Sequence, residues 1–142
     1  MSNAAELTIL NHYRLTASAA DFTSAIAALA DRVRHEGEAG VLGYRFFVNP
    51  EDHSARAVID YATPQAWVRH HDIAMPWPEM TALHRVAVLE EVVFLGPLTP
   101  DIAAWIATSS LRATIRHGNS FADGFQRPTA APPAGGQGHR RL

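Results

Sequence analysis

The chain has 142 residues, 47% hydrophobic and 18% charged, and its twelve basic residues, all arginine, stand against fourteen acidic ones for a net charge of −2. This length predicts one domain with ample apolar residues for a core, and this charge excludes a generic attraction to nucleic acid or to an acidic membrane surface. The absence of cysteine excludes a disulfide framework, a thiolate nucleophile and cysteine-ligated zinc or iron–sulfur centres.

The N-terminal region predicts a soluble, cytoplasmic protein whose fold begins with a strand. The opening MSNAAELTIL lacks the positive charge and long apolar run of a signal peptide, and no run approaches the roughly 18 apolar residues of a membrane span. The segment Leu7 to Leu15 (LTILNHYRL) alternates as a strand does, with Asn11 and Tyr13 on its mainly apolar face. Asn11 is therefore either an edge residue bonded to backbone or part of a site.

The following segment has the pattern of a packing helix. Ser18 is a predicted N-cap, and Asp21 lies three residues on, as in a capping box. Charged residues occupy one helix face, and Gly37 and Gly40 end the helix; the other face carries the apolar residues Phe22, Ile26, Leu29 and Val33. We assign no chemistry to this helix.

A hairpin and a second helix come next. Two aromatic and β-branched runs, Val41 to Val48 and Ser54 to Ala62, flank the turn-rich sequence NPEDH and predict antiparallel strands. The pair Thr63-Pro64 supplies an N-cap and a proline at the first helical position. This second helix should run through His70 until prolines at positions 76 and 78 interrupt it, the later proline starting a short helical turn.

The rest of the chain predicts a strand, a helix and a tail. Arg85 to Leu95 (RVAVLEEVVFL) reads as a strand whose alternation puts Glu90 and Glu91 on opposite faces. The pair Thr99-Pro100 starts a third helix with a short apolar stripe, Ile102, Trp105 and Ile106. Residues 119–142 are rich in Pro, Gly and Ala with little to bury, which predicts a disordered tail after a domain of residues 1–118.

This order predicts an α+β fold. Through Leu95 it is β-α-β-β-α-β, the ferredoxin-like arrangement of a four-stranded antiparallel sheet with both helices on one face, here with an extra C-terminal helix. The other sheet face would be uncovered although its strands carry many apolar residues. Such a face predicts burial against a partner, most simply in a symmetric homodimer.

Residues 61–84 concentrate the chemistry of the chain. They hold two of the three Trp, three of the eight His and three of the nine Pro. Large aromatic groups beside imidazoles on an interrupted helix are suited to wall a pocket and to hold proton-transfer groups inside it.

The sequence resembles the antibiotic biosynthesis monooxygenase (ABM) superfamily of dimeric α/β-barrel proteins over roughly residues 6–107. Three stretches carry the resemblance: ILNHYRL with its Asn, YATPQAWVRHH with a His nine residues after the aromatic, and GPLTPDIAAW after the last strand. The chain departs from the family where many members have Trp, here Tyr61, and where a second His follows Ser-Pro, here Ala-Met-Pro-Trp. Roles attached to those two family residues are not carried over.

The resemblance implies a monooxygenase that oxidises a phenolic, quinol or anthrone-like aromatic metabolite with O2 and needs neither flavin nor metal. His70, at the family's His position, is implied as the proton-transfer group, and Asn11 as the partner of a substrate oxygen. We predict a substrate wall of Trp77, Tyr61, Trp67 and Tyr13. Trp77, between two prolines, is either a lid on the pocket or a plug in the core. Tyr61 and Trp67 are alternatively core residues, and His71, next to His70, is predicted on the surface.

Two alternatives remain open at this point. Haem-degrading relatives use a His late on the second helix, so His84 is a candidate haem ligand and the chain a candidate haem-binding or haem-degrading protein. The other alternative is a non-catalytic dimeric module that binds a ligand. A metal site from His70, His71 and His84 is disfavoured, because adjacent His residues do not face one site and prolines interrupt the spacing.

Overall fold

The fold joins one sheet to four helices. A computed structural model describes residues 4–127. In chain order the elements are β1 (Leu7–Leu15), α1 (Ala19–Glu36), β2 (Val41–Asn49), β3 (Ser54–Tyr61), α2 (Pro64–Ala74), α3 (Pro78–Val86), β4 (Ala87–Leu95), α4 (Pro100–Thr108) and β5 (Thr114–Asn119). No helix within the described range is long and apolar enough to cross a membrane.

The predicted helix starts are confirmed by their caps. The Ser18 hydroxyl accepts the N–H of Asp21 at 3.0 Å and begins α1. The hydroxyls of Thr63 and Thr99 do the same for α2 and α4, and a proline occupies the first turn of each. Each cap satisfies a backbone donor that the helix itself leaves unpaired.

The prolines split the helical region as predicted, but the second piece is longer than one turn. α2 ends at Ala74, and α3 runs from Pro78 to Val86, so β4 begins at Ala87 rather than at Arg85. Pro78 sits at the first helical position, where its missing N–H costs nothing.

The sheet has five strands and is mixed, which corrects the predicted four-stranded antiparallel sheet. The strand order is β2-β3-β1-β4-β5. The first four strands are antiparallel neighbours as in the ferredoxin-like order, whereas β5 pairs parallel to β4. The sequence TIRHGN of β5 is mostly exposed and offers no apolar alternation, so pattern alone does not reveal it.

The predicted tail divides into three parts in the structure. Its first residue, Asn119, belongs to β5, and its side-chain amide donates to the Phe94 carbonyl at 2.9 Å. Residues 120–127 have no helix or strand. Residues 128–142 lie outside the described residues, so the predicted disorder there stays a prediction.

A β-bulge in β4 corrects the prediction for Glu90 and Glu91. His12 pairs with Glu91 and the next residue, Tyr13, pairs with Leu89, so Glu90 is the extra residue. The Glu90 carboxylate accepts from Arg14 Nε at 3.0 Å. Both carboxylates therefore lie on the side of the sheet that carries Arg14, away from the core.

The helices cover one face of the sheet and leave the other open. The covered face buries Leu7, Ile9, Tyr13, Ala57, Ile59 and Phe94 against α1, α2 and α3, with Phe22 and Leu29 of α1 fully buried. The open face carries Leu10, Val58 and Val93, which are only partly buried, and Phe47, which is 55% exposed.

Candidate functional site

A cavity of about 330 Å³ lies between the covered sheet face and the helices. All five strands, α2, α3, α4 and the segment after α4 contribute to its lining. Most of its wall is aromatic or aliphatic; the aromatic part consists of Tyr13, Tyr44, Tyr61, Trp67, Phe94 and Trp105. A concave apolar site with few polar groups is the usual form of a small-molecule pocket.

Asn11 supplies one polar group of this cavity. Alternation along β1 places it on the covered face, opposite Ala57 and Val92 of the neighbouring strands. Its Nδ2 donates to the Tyr13 hydroxyl at 3.2 Å. Its Oδ1 is buried and accepts no hydrogen bond within the described part of the chain. A buried unpaired acceptor costs roughly 1–3 kcal/mol, so a ligand donor at this atom would recover that energy.

His70 supplies a second polar group. It lies on α2 with 2% of its surface exposed, and its ring centroid is 5.4 Å from that of Tyr44 and 6.0 Å from that of Tyr61. Its Nδ1 is buried and has no hydrogen-bond partner among residues 4–127. Burial lowers the pKa of His70 to about 4, with Glu38 acting weakly in the opposite direction. The imidazole is therefore neutral at neutral pH and free to accept a proton.

Three tyrosines surround these two groups. Burial raises the pKa of Tyr13 to about 12, against the smaller effect of the hydrogen bond from Asn11. Burial also raises the pKa of Tyr44 and of Tyr61. All three phenols thus stay protonated, and the cavity interior offers hydroxyl groups rather than negative charge.

His71 is part of the cavity wall, not of the surface as predicted. Its ring stacks on Trp67 at a centroid distance of 3.8 Å and meets the edge of Trp105 at 5.0 Å. Its Nδ1 lies 2.7 Å from the Trp67 carbonyl oxygen. Because a carbonyl only accepts, Nδ1 carries the proton, and because burial lowers the pKa of His71 to about 3, Nε2 keeps its lone pair.

Trp105 closes this wall from α4. Its indole N–H donates to the Asp72 carboxylate at 2.9 Å, and its ring meets Trp67 edge-on at 5.4 Å. This bond ties α4 to α2 beside the cavity. The predicted pocket residues Trp67, Tyr61 and Tyr13 are all buried in the core and all line the cavity, so the two alternatives weighed for Tyr61 and Trp67 are not exclusive.

Trp77 does not line the cavity, contrary to the prediction. The Arg32 guanidinium lies 4.3 Å from the centre of its ring, and the same guanidinium bonds Glu79 at 2.9 Å. Trp77 precedes α3, which packs against α1, so its ring is held at that helix contact. The flanking prolines suggested a lid but could not show which side of α3 the ring would take.

His84 lies at the rim of the cavity, among its lining residues but with an exposed side chain. Partial burial lowers its pKa. Its assignment as a haem ligand stays a prediction. The sequence offered one amide and three imidazoles as candidates for a site, and all four line this cavity: Asn11, His70, His71 and His84.

Two features of the cavity were not anticipated from sequence. Tyr44, on β2, stands edge-on to His70, and alternation in VLGYRFFV could have placed it on the covered face. Residues 109–112, which include Ser109 and Arg112, also line the cavity. They follow the last recognisable apolar stripe, and no pattern in the sequence indicates them.

Comparison with known proteins shows which solved structures have a similar fold. No family model matches the chain, and no curated protein matches it. Among solved structures, SnoaB, a cofactor-independent oxygenase from Streptomyces nogalater, is similar with a TM-score of 0.53 at 20% identity, covering 66% of this chain and 94% of SnoaB. MupZ from Pseudomonas fluorescens is similar with a TM-score of 0.61 at 15% identity, covering 88% of this chain and 97% of MupZ.

These similarities confirm, at the level of the fold, the predicted resemblance to the antibiotic biosynthesis monooxygenases. A protein from Caulobacter crescentus, proposed to be such a monooxygenase, has a TM-score of 0.51 at 18% identity over 67% of this chain and 92% of its own. The match with MupZ covers too large a share of the chain to end at Leu95. It therefore extends beyond β4 into the C-terminal elements.

Proposed function

We propose that this protein is a cofactor-independent monooxygenase that oxidises a phenolic, quinol or anthrone-like aromatic with O2 in the cavity described above. The observation that carries the proposal is that Asn11 and His70 line one aromatic cavity and that each has a buried polar atom, Oδ1 and Nδ1, without a hydrogen-bond partner among residues 4–127. A phenolic or enolic hydroxyl donates one hydrogen bond, so one such group would satisfy the neutral imidazole nitrogen and a second hydroxyl of the substrate would satisfy the amide oxygen.

The proposed reaction begins with a proton transfer. His70 takes the proton of the bound phenol or enol and leaves an electron-rich anion. This anion passes one electron to O2, and the resulting radical and superoxide combine to form a carbon–oxygen bond. The peroxide takes back a proton and loses water, so one oxygen atom enters the product and the other leaves as water; the substrate is oxidised and O2 reduced. The aromatic wall keeps bulk water from these intermediates.

The basicity of His70 fits this role only when the anion forms beside it. With a pKa of about 4 in the free protein, its neutral form is available, but it is a weak base. An anionic oxygen in contact with the ring raises the imidazole pKa, because the ion pair offsets the burial that lowered it. Proton transfer and anion formation are thus coupled in the same cavity.

The size of the cavity favours a small aromatic over haem. Small-molecule pockets run from roughly 300 to 1,000 Å³, and this cavity of about 330 Å³ is at the small end. It suits a molecule of two or three rings better than a tetrapyrrole. His84, the one predicted haem ligand, stands at the exposed rim. Adding haem to the purified protein checks this directly: no shifted Soret band is expected, and a stoichiometric one would favour the alternative.

We also propose a homodimer formed through the open sheet face. Leu10, Val58, Val93 and Phe47 lie on that face with no helix of the described chain above them. Arginine and carboxylate side chains surround them, including the pair Arg14 and Glu90. A self-complementary patch of apolar residues with mixed charges at its margin suits a twofold interface.

Oxygen uptake tests the proposed activity. A panel of hydroquinones and anthrones is added to the protein in an oxygen electrode, with the spontaneous rate subtracted. We expect uptake that falls at least a hundredfold in His70→Gln and in Asn11→Ala, because a general base and a hydrogen-bond partner that positions the substrate each contribute about that much. His35→Gln, at an exposed position on α1, should match the parent protein. Unchanged uptake in both site variants would show that the site is misassigned.

A further inference from the structure

The cavity carries one formal charge at neutral pH, and it is positive. No Asp or Glu is among its lining residues, and burial keeps its imidazoles neutral. The remaining ionisable group is the guanidinium of Arg112. An aromatic interior with a single cation at its edge favours a ligand with one anionic end.

Arg112 is not committed to another role in the described part of the chain. Arg116, on β5, pairs with Glu91, whereas Arg112 belongs to the described arginines without an ion pair and is the one of these that lines the cavity. Arg112 has no ion pair, side-chain hydrogen bond or aromatic partner within residues 4–127. Its side chain is exposed, so it stands where the cavity opens to solvent.

The backbone fixes the position of Arg112 from both sides. On one side, the Ser109 hydroxyl donates to the Ile106 carbonyl at 2.8 Å and accepts the N–H of Leu111 at 3.2 Å, which holds the turn after α4. On the other side, β5 begins at Thr114, opposite Glu91. Arg112 therefore lies between two anchored points rather than in a free loop.

We propose that the substrate is an aromatic carboxylate whose acid group binds Arg112 at the mouth of the cavity. The ring system then extends inward, so that its phenolic or enolic oxygen reaches Asn11 and His70. A guanidinium offers paired N–H donors that match the two oxygens of a carboxylate. A cavity edge without this cation would not distinguish a carboxylate from a neutral group. The inference rests on the proposed function for its inner end, but the binding of the acid group is separable from oxidation.

The test compares two inert probes of the same shape, anthraquinone-2-carboxylate and anthraquinone-2-carboxamide. Binding is followed by quenching of tryptophan fluorescence, since Trp67 and Trp105 both line the cavity. The protein should bind the carboxylate about tenfold more tightly than the carboxamide. Arg112→Gln should remove this preference and leave the carboxamide affinity unchanged, while Arg112→Lys should keep part of it. Arg85→Gln, an equal charge change on α3 outside the cavity, should keep all of it.

Three results would overturn the proposal: equal affinity for the two probes, a preference that survives in Arg112→Gln, or no saturable binding of either probe. None of them bears on oxygen uptake with a neutral hydroquinone, which tests the proposed reaction alone. A protein that consumes O2 with neutral quinols but ignores the carboxylate would keep the function and lose this inference.

Discussion

Asn11 and His70 reach one cavity from opposite layers of the fold, Asn11 from the sheet and His70 from the helix above it, and each has a buried polar atom that no group of the described residues satisfies. A folded chain gains nothing from two such atoms. They lower stability, and an apolar residue at either place would pack at least as well. The ligand proposed above would account for their presence by bonding both atoms.

Replacing Asn11 with leucine should therefore separate stability from activity. Leucine has a similar volume and removes the unpaired Oδ1, although the bond to the Tyr13 hydroxyl is lost with it. In a Tyr13→Phe background, where no tyrosine hydroxyl is left unpaired, we expect Asn11→Leu to raise the free energy of unfolding, measured with urea, by about 1 kcal/mol. In the parent protein the same change should abolish oxygen uptake. Thr8→Val, which breaks the bond from the Thr8 hydroxyl to Asp60 at 2.6 Å, is the control and should not stabilise. If Asn11→Leu destabilises the Tyr13→Phe protein, Oδ1 must be satisfied in the free protein.

The buried imidazole of His70 should make stability depend on pH. Its pKa is about 4 in the folded protein and close to the ordinary histidine value of 6.5 in the unfolded chain, so the unfolded state binds more protons between these values. The contribution of the neutral imidazole to the free energy of unfolding is complete above pH 6.5. As the pH falls from 6.5 towards 4, this free energy decreases by roughly 3 kcal/mol. In His70→Phe the unfolding free energy should fall less steeply over this window. His35→Gln should retain the parent slope, and an equal slope in His70→Phe would contradict a depressed His70 pKa.

Two half-buried tryptophans provide a matched pair for the cavity wall. Trp105 lines the cavity, whereas Trp77 packs beneath Arg32 outside it. Trp105→Leu and Trp77→Leu should each cost about 2 kcal/mol of stability through lost packing. Only Trp105→Leu should weaken binding of an anthraquinone probe, measured by isothermal titration calorimetry. Equal weakening in both variants would mean that the ligand lies elsewhere.

A charge on the open sheet face should dissociate the proposed dimer. Phe47, 55% exposed on β2, is the largest apolar side chain there. Phe47→Asp should convert a dimer into a monomer in light scattering coupled to gel filtration, because a buried unpaired carboxylate costs several kcal/mol. Ile73→Asp, at an exposed apolar position on α2, should remain dimeric. A parent protein that is monomeric at micromolar concentration would refute the dimer outright.

The sequence predicted most of the fold because local signals agreed with it. The caps Ser18, Thr63 and Thr99 begin their helices where expected, and the alternation of LTILNHYRL places Asn11 and Tyr13 on the covered face. β5 escaped prediction because its pairing with β4 depends on the neighbouring strand and not on its own polar sequence. The bulge at Glu90 was not predicted for the same reason, because the register of a strand depends on the strand beside it as well as on its own sequence.

The site was predicted less completely than the fold. His70, Asn11, Tyr61, Trp67 and Tyr13 do line one cavity. The direction in which a ring points from an interrupted helix depends on packing partners distant in sequence. The sequence therefore could not show that Trp77 would pack against Arg32 or that His71 would stack on Trp67. Arg112 comes from a segment whose position is fixed by a turn and an edge strand, and neither leaves a periodic signal.

Isotopic labelling of the product is the most direct measurement of whether this cavity performs a monooxygenation. Anthrone is incubated with the protein under isotopically heavy O2, the product is analysed by mass spectrometry, and the spontaneous reaction is subtracted using His70→Gln. The proposed reaction predicts that each product molecule formed above the His70→Gln background carries one heavy oxygen atom. A product that forms no faster than with His70→Gln, or whose added oxygen comes from water, would contradict it.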